Sequence, residues 1–182
     1  IELKKGSYYL LTDAGSWKDG DPNGFTGNNT LAENSGSKNT LFFNDYGDYM
    51  PIDYRTVGGQ FYYGKDQVAA NEQNNTFTRI RSNCTSAYNR NVNQADTVNR
   101  KLDFFYRDFL YLRDADIFVM YDKVKNKSRA SGPAYEKHLR WHFPANAPAV
   151  NGNSITAVHG NAKLYIHTLL PAANLNINVV NE

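Results

Sequence analysis

The sequence contains little of what several protein classes require. It has one cysteine, Cys84, in 182 residues, so an internal disulfide framework and a metal site built from several cysteines are excluded. The net charge is only +2 and the charges are scattered, whereas nucleic-acid-binding proteins concentrate Lys and Arg on one face. No apolar run approaches the roughly 20 residues of a membrane span, and no signal peptide is visible. We therefore expect neither nucleic acid nor a membrane as a partner, and we expect Cys84 to be an unreactive bystander.

Long periodic runs of Ala, Leu, Glu and Lys are also missing, whereas aromatic and turn-forming residues are abundant. The chain has 13 Tyr and 10 Phe, and aromatic residues make up 14% of it. This composition is typical of all-β proteins. At this length one domain is the default, and it is large enough for a substantial core. We predict a single domain over residues 1–182, folded as a large antiparallel β-sandwich of roughly ten or more strands.

The most apolar stretch, residues 101–124, organises this prediction. Two aromatic and apolar runs, 104–112 and 117–124, flank the polar break Arg113-Asp114-Ala115-Asp116, which is typical of the turn of an antiparallel hairpin. The near-continuous apolarity of 117–121 favours a strand that is buried on both faces or central in the sandwich. A helix over 101–112 is the alternative, since that run also has apolar residues at helical spacing.

Shorter patterns predict the other elements. Between strands, we expect irregular loops over most of 65–100 and a long loop over 16–36, either a binding element or a surface excursion. Asn151-Gly152 is predicted to form the turn of a hairpin. The remaining predicted strands cover residues 8–11, 40–44, 76–81, 135–143, 163–170 and 175–180.

The best polar cluster for sugar contact lies beside the paired glycines at 58–59. Tyr54 supplies a ring that can stack on a pyranose, Arg55 can bind a carboxylate with two hydrogen bonds, and Gln60 can bind hydroxyls. Paired glycines before a strand indicate a bulge or a close backbone approach.

A second set of polar residues alternates along 135–143. Strand alternation would place His138, Arg140 and His142 on one face and apolar residues on the other. That row is either an ordinary polar strand face or a surface that meets an acidic glycan.

Five short motifs follow one another along the chain. They resemble, in the same order, elements of the C-terminal β-sandwich of heparinase II/III-like polysaccharide lyases. The five are KNTLFFND (38–45), VGGQ (57–60), VMYDKV (119–124), LRWH (139–142) followed by Pro148, and KL (163–164) followed by TLLP (168–171).

This resemblance implies a fold and an activity. Such enzymes join an N-terminal helical toroid to a supersandwich-like β domain, and they cleave uronic-acid polysaccharides by β-elimination where the two domains meet. The resemblance therefore implies that the chain is the C-terminal part of a longer protein. Its partners would be an acidic polysaccharide and the helical domain, and the isolated fragment would be inactive. It also implies a bacterial periplasmic or secreted location.

The resemblance also assigns residues, with two departures. Lys38 stands where the family has a sandwich histidine, so it becomes the candidate catalytic residue, although an ammonium and an imidazole differ as bases near pH 7. Beside this assignment, we expect Asn39, the Arg140 and His142 of the alternating row, and the cluster near the paired glycines to contact substrate. Some members hold a structural zinc, but the acidic partner is replaced by Val57 here, and one histidine is not a metal site. We therefore predict no metal or other cofactor, with His142 as the one remaining candidate ligand.

Two hypotheses of other classes stay open. The chain could be a free-standing carbohydrate-binding β-sandwich without catalysis, or a structural domain that packs against a helical neighbour. Paired amphipathic helices upstream of Ile1 would favour the lyase, whereas an upstream signal peptide or repeat array would favour the binding module.

Overall fold

The computed structural model describes residues 3–12, 39–44, 67–88, 102–128, 136–144, 147–171 and 175–179. Within these ranges the regular structure is eleven β-strands and a 3-10 helix at Thr85–Ala87, without an α-helix, so the predicted all-β class is confirmed. None of the described residues forms a helix long and apolar enough to cross a membrane. The strands are β1 (Leu3–Lys5), β2 (Tyr8–Leu11), β3 (Leu41–Asn44), β4 (Gln67–Gln73), β5 (Phe77–Asn83), β6 (Leu102–Leu112), β7 (Ile117–Asn126), β8 (Glu136–Leu139), β9 (Ala149–Asn151), β10 (Ser154–His159) and β11 (Ala162–His167).

The chain divides into two compact units. The first comprises Ile1–Thr40 with Leu139–Glu182, and the second comprises Leu41–His138. The sandwich arrangement and the single-domain organisation stay predictions.

The second unit contains a four-stranded antiparallel sheet in the order β4-β5-β6-β7. Its two longest strands, β6 and β7, form the predicted hairpin, and the helical alternative for residues 101–112 is wrong. The turn closes with a hydrogen bond from the Asp116 amide to the Arg113 carbonyl, 3.2 Å long. Asp116 has a φ of 52°, a left-handed conformation that Asp tolerates better than most residues.

The predicted burial of β7 on both faces is wrong. In the described part of the chain β7 is the terminal strand of its sheet, with β6 inside it. Its apolar residues are largely exposed, for example Ile117 at 48% and Tyr121 at 50%. Aromatic and β-branched residues indicate a strand whether or not it is buried, because sheets also favour their packing against side chains of the neighbouring strand. In β7 they pack against side chains of β6, as Phe118 does against Tyr111.

The core of the second unit lies at one end of the β6–β7 hairpin. Tyr88 is fully buried, its ring meets Phe43 edge-on at 5.0 Å, and its hydroxyl donates to the Leu41 carbonyl at 2.9 Å. Cys84 is 5% exposed in the same cluster, so the thiol is shielded from solvent. The cluster comprises Leu41, Phe43, Cys84, Ala87, Tyr88, Leu102 and Phe105, with Val124 against it.

The strand β4 is absent from the sequence prediction. Four of its seven residues, Gln67–Gln73, are polar and six are exposed, so it has no alternating apolar pattern from which a strand is inferred. The backbone ladder to β5 holds it in place, with a register shift between Val68 and Ala70. A polar edge strand of this kind is visible only through its partner.

The first unit joins the β1–β2 hairpin to the sheet β9-β10-β11, with β2 lying against β10 and β11. Alternation along β10 buries Ile155 and Ala157 and leaves Val158 45% exposed, as one buried face requires. Leu10 and Leu11 of β2 are also buried.

Local predictions in this unit were partly right. Tyr8–Leu11 is a strand as predicted. The β9–β10 turn occupies Gly152 and Asn153, one residue beyond the predicted pair, because the residue with positive φ (58°) is Gly152 and Asn151 still belongs to β9. The strand predicted over 135–143 ends at Leu139, the one predicted over 163–170 ends at His167, and 175–179 form no strand.

Two glycines of this unit share a backbone conformation but differ in surroundings. Gly160 and Gly152 have φ values of 57° and 58°. A Cβ added at Gly160 would overlap the ring of Tyr8, whereas one added at Gly152 would meet nothing within 4 Å. Gly160 is therefore required by packing as well as by conformation.

Candidate functional site

Three of the seven sequence-predicted site residues fall in described segments. Asn39, Arg140 and His142 all belong to the first unit. The other four lie outside the described residues, so their predicted roles stay predictions: Lys38, Tyr54, Arg55 and Gln60.

The structure brings Asn39 and His142 together. The Asn39 side chain is 2% exposed; its Oδ1 accepts the His142 amide at 2.7 Å and its Nδ2 donates to the Thr12 carbonyl at 2.8 Å. The Thr12 amide in turn donates to the His142 carbonyl at 3.1 Å. The Asn39 amide thus closes a ring of three hydrogen bonds between segments far apart in sequence, and we call this ring the Asn39 bridge.

Arg140 lies beside the bridge. Its backbone amide donates to the Thr40 carbonyl at 3.2 Å, and the side chains of Arg140 and His142 are half-buried. Because β8 ends at Leu139, which is 41% exposed, strand alternation does not extend over 140–143. Arg140 and His142 therefore lie outside the strand, and the predicted alternation that would place them on one face with His138 does not apply.

The histidines of β10 and β11 make structural contacts. The His159 Nδ1–H donates to the Tyr9 carbonyl at 2.8 Å, and its ring meets Tyr8 at 5.4 Å. His167 Nδ1 lies 2.7 Å from the hydroxyl of Ser154, its cross-strand neighbour. Among the described residues, no group of three or more His, Cys, Asp or Glu side chains is arranged to hold a metal ion.

A second arrangement, which the sequence analysis missed, lies at the far end of the four-stranded sheet. Gln73 is paired with Thr78, Thr78 with Tyr111, and Tyr111 with Phe118. Directly opposed residues of an antiparallel sheet share a face, so these four side chains form one row across four strands, about 14 Å long at the usual strand spacing. We call it the tip row.

The aromatic half of the tip row is a ring stack. The rings of Tyr111 and Phe118 lie 4.4 Å apart at 16° to one another, and Phe118 is 40% exposed. The guanidinium of Arg113 lies over the Tyr111 ring, 5.8 Å from its centroid. Arg113 also donates to the Thr78 hydroxyl and, at 3.2 Å, to the Asn74 carbonyl.

The polar half of the tip row borders an open depression. The depression has a volume of about 650 Å³ and is lined by Gln73, Asn74, Asn75 and Arg113. Asn74 shapes its floor, since its Oδ1 accepts the amides of Thr76 and Phe77 at 2.8 and 2.9 Å. In the described part of the chain, the exposed side-chain carboxamides of Gln73 and Asn75 make no hydrogen bond.

The opposite face of the same sheet carries an ion-pair network. Asp108 accepts from Arg81 at 2.8 Å and from Arg79 at 3.0 Å. The hydrogen bond from Arg81, with the charges of both guanidinium groups, holds the pKa of the Asp108 carboxyl below its usual value despite burial. Arg79 also reaches Glu72 at 3.0 Å, so these cations are neutralised within the sheet.

Arg107 and Asp122 form the most buried ion pair in the described segments, with side chains 13% and 14% exposed and two hydrogen bonds of 2.7 Å. Burial lowers the pKa of the Arg107 guanidinium, but the hydrogen bond and charge of Asp122 outweigh it, so the pKa lies above its ordinary value. The pair therefore stays charged and contributes to the structure rather than to proton transfer.

No protein-family model matches this chain, and a search of curated proteins finds no match either. The resemblance to heparinase II/III-like lyases thus depends on the five motifs alone.

Sequence reasoning missed the tip row for a definable reason. Its members are spread over residues 73–118, and only strand register brings them into line. One sequence feature pointed towards it, namely the Arg113 turn between two aromatic runs. Because the sequence pattern does not predict β4, it could not show that Gln73 lies in line with Thr78 and Tyr111.

Proposed function

We propose that this chain is the β-sandwich part of a heparinase II/III-like protein that binds uronic-acid polysaccharides and completes a β-elimination site with a helical domain of the same protein. On this proposal the isolated fragment is inactive. The protein acts in the bacterial periplasm or outside the cell, where such polymers occur, and it uses no cofactor.

One observation carries the proposal. The motif at 38–45 contains the candidate catalytic residue Lys38, and the motif at 139–142 contains Arg140 and His142, which are expected to contact substrate; the two motifs are about 100 residues apart. In the structure Asn39 of the first hydrogen-bonds the backbone of His142 in the second. Such proximity is what a shared site requires, and it is independent of the sequence likeness that suggested it.

The chemistry assigns different tasks to these residues. β-Elimination needs a base for the proton α to the uronate carboxylate, groups that neutralise that carboxylate, and an acid for the departing O4. Arg140 can neutralise the carboxylate through two hydrogen bonds. Lys38 is assigned a second positive charge for the same task. The helical domain then supplies the base.

The geometry revises the role of Asn39 within this proposal. Its side chain is 2% exposed and holds two backbone groups, so we assign it a positioning role. It sets the path of the segment that carries Arg140 and His142 and leaves direct substrate contact to them.

The test uses the full-length protein, together with any residues that precede Ile1. It is incubated with heparan sulfate, chondroitin sulfate, hyaluronan or alginate, and the ultraviolet absorbance of the unsaturated uronate product is followed. We expect a rise with one polymer, a loss of at least tenfold in rate for Arg140→Ala, and no change for Lys163→Ala, an exposed lysine on β11. Lys38→His, which restores the residue of the family, is expected to retain activity, and Arg55→Ala tests the predicted cluster near the glycines.

A non-catalytic carbohydrate-binding module is the second candidate. It is favoured by Lys38 in place of the histidine of the family and by the engagement of the Asn39 amide with the backbone. Binding of a polymer without any rise in absorbance would establish it and would contradict the lyase.

A further inference from the structure

We propose that the far end of the four-stranded sheet is a separate saccharide-binding site, which binds a short chain of neutral pyranose units along the tip row. It comprises the row Gln73, Thr78, Tyr111 and Phe118 with the adjoining Asn75 and Arg113. The proposal goes beyond the proposed function, which concerns other residues, and either can fail without the other.

The apolar part of the site is the aromatic stack. Tyr111 and Phe118 are parallel, and the ring of Phe118 belongs to β7, which in the described residues has no strand on its other side. Tyr111 stacks on one face of Phe118 and the Phe109 ring lies 5.3 Å from it, yet Phe118 is still 40% exposed, so part of its ring surface is open to a ligand. A pyranose has a face of C–H groups that packs on such a ring, and flat aromatic surfaces of this kind provide contact area at low entropic cost.

The polar part of the site supplies hydrogen-bond donors and acceptors that are available to a ligand. A guanidinium has five donors, and the two bonds of Arg113 to Asn74 and Thr78 leave three. These two bonds fix its orientation. The amides of Gln73 and Asn75 add donors and acceptors at the depression. A ring surface beside donors and acceptors over about 14 Å is complementary to a sugar chain, whose hydroxyls both donate and accept.

Local charge selects the class of sugar. Arg113 is followed in the same turn by Asp114 and Asp116, and Asp116 accepts the Tyr111 hydroxyl at 3.2 Å. Two carboxylates beside one guanidinium oppose an anionic ligand. The site therefore favours a neutral pyranose over a uronate, in contrast to the acidic polymer proposed for the Arg140 segment.

The experiment titrates the full chain with cellotetraose as the neutral probe and with a tetramer of mannuronate as the anionic one. Binding is followed by calorimetry and by the NMR shifts of the Gln73 and Asn75 side-chain amides. We expect the neutral tetramer to bind more tightly and to shift both amides.

Two matched pairs of variants locate the site. Phe118→Leu keeps an apolar side chain but removes the flat ring, and we expect it to weaken binding about two- to twelvefold. Its control, Tyr121→Leu, removes an exposed ring from the other face of the same strand and is expected to leave the dissociation constant unchanged. Gln73→Ala is expected to weaken binding by a similar factor, whereas Gln67→Ala, at the other end of β4, is not.

Thermal unfolding of each variant separates binding from folding, because a purely structural ring stack would lower stability without changing the affinity of the folded fraction. No binding of cellotetraose at millimolar concentration would overturn the proposal. Unchanged affinity in Phe118→Leu and Gln73→Ala would overturn it as well. Binding of the mannuronate tetramer alone would also overturn it, and would then bear only on the proposed function.

Discussion

The Asn39 bridge leads to a quantitative prediction. Replacing Asn39 with Ala removes the acceptor of the His142 amide and the donor to the Thr12 carbonyl. A buried backbone group left without a partner costs about 1–3 kcal/mol. Because Thr12 and His142 are only half-buried, water can replace part of each lost hydrogen bond. We therefore take about 1 kcal/mol, the lower end of that range, for each of the two backbone groups. We expect Asn39→Ala to lower the free energy of unfolding of the first unit by about 2 kcal/mol.

Amide hydrogen exchange measured by NMR tests this at the atoms concerned. A loss of about 2 kcal/mol corresponds to roughly thirtyfold faster exchange of the His142 amide. Asn39→Asp is the informative companion, since a carboxylate still accepts the His142 amide but no longer donates to Thr12. Slow exchange at His142 in Asn39→Asp, together with fast exchange in Asn39→Ala, is the expected pattern. Equal protection of His142 in Asn39→Ala and the unaltered chain would refute the bridge.

Three further predictions concern stability, each measured by urea unfolding. Asp122→Ala leaves Arg107 charged and buried, so we expect a loss of about 3 kcal/mol, and replacing both residues by Met and Leu should restore most of it. The lowered pKa of Asp108 predicts stabilisation that is complete above the unfolded value of about 3.9 and is lost as the pH falls through the folded pKa; Asp108→Asn should flatten this acid limb. Gly160→Ala should cost about 2–4 kcal/mol, against about 1 kcal/mol for Gly152→Ala, because only the former adds overlap to the strained φ.

Each of these has a result that would contradict it. Failure of the double replacement to recover stability would mean that the ion pair contributes more than its desolvation cost. An acid limb that is the same in Asp108→Asn, while Asp114→Asn as a surface control also changes nothing, would remove Asp108 from the pH dependence. Equal losses for the two glycine variants would show that Tyr8 moves aside.

Local pattern was enough to predict part of the fold. The β-branched and aromatic runs on either side of the turn at 113–116 predicted the hairpin of β6 and β7, because a short polar break between such runs leaves few alternatives to an antiparallel turn. The same reasoning located Tyr8–Leu11. It failed for β4, since an exposed polar strand has no pattern of its own, and it misplaced the turn at Gly152 by one residue.

By itself, then, the sequence determined the all-β class, most strand positions and the chemistry carried by single side chains, because these depend on neighbours within a few residues. Only the tertiary structure decided which strand lies at a sheet edge and which side chains share a row. The tip row depends on the registers of three strand pairs, and a shift of one residue in any of them would turn its members to opposite faces. Likewise, nothing near Asn39 in sequence reveals that its amide holds His142; that follows from the folding of two distant segments against Thr12.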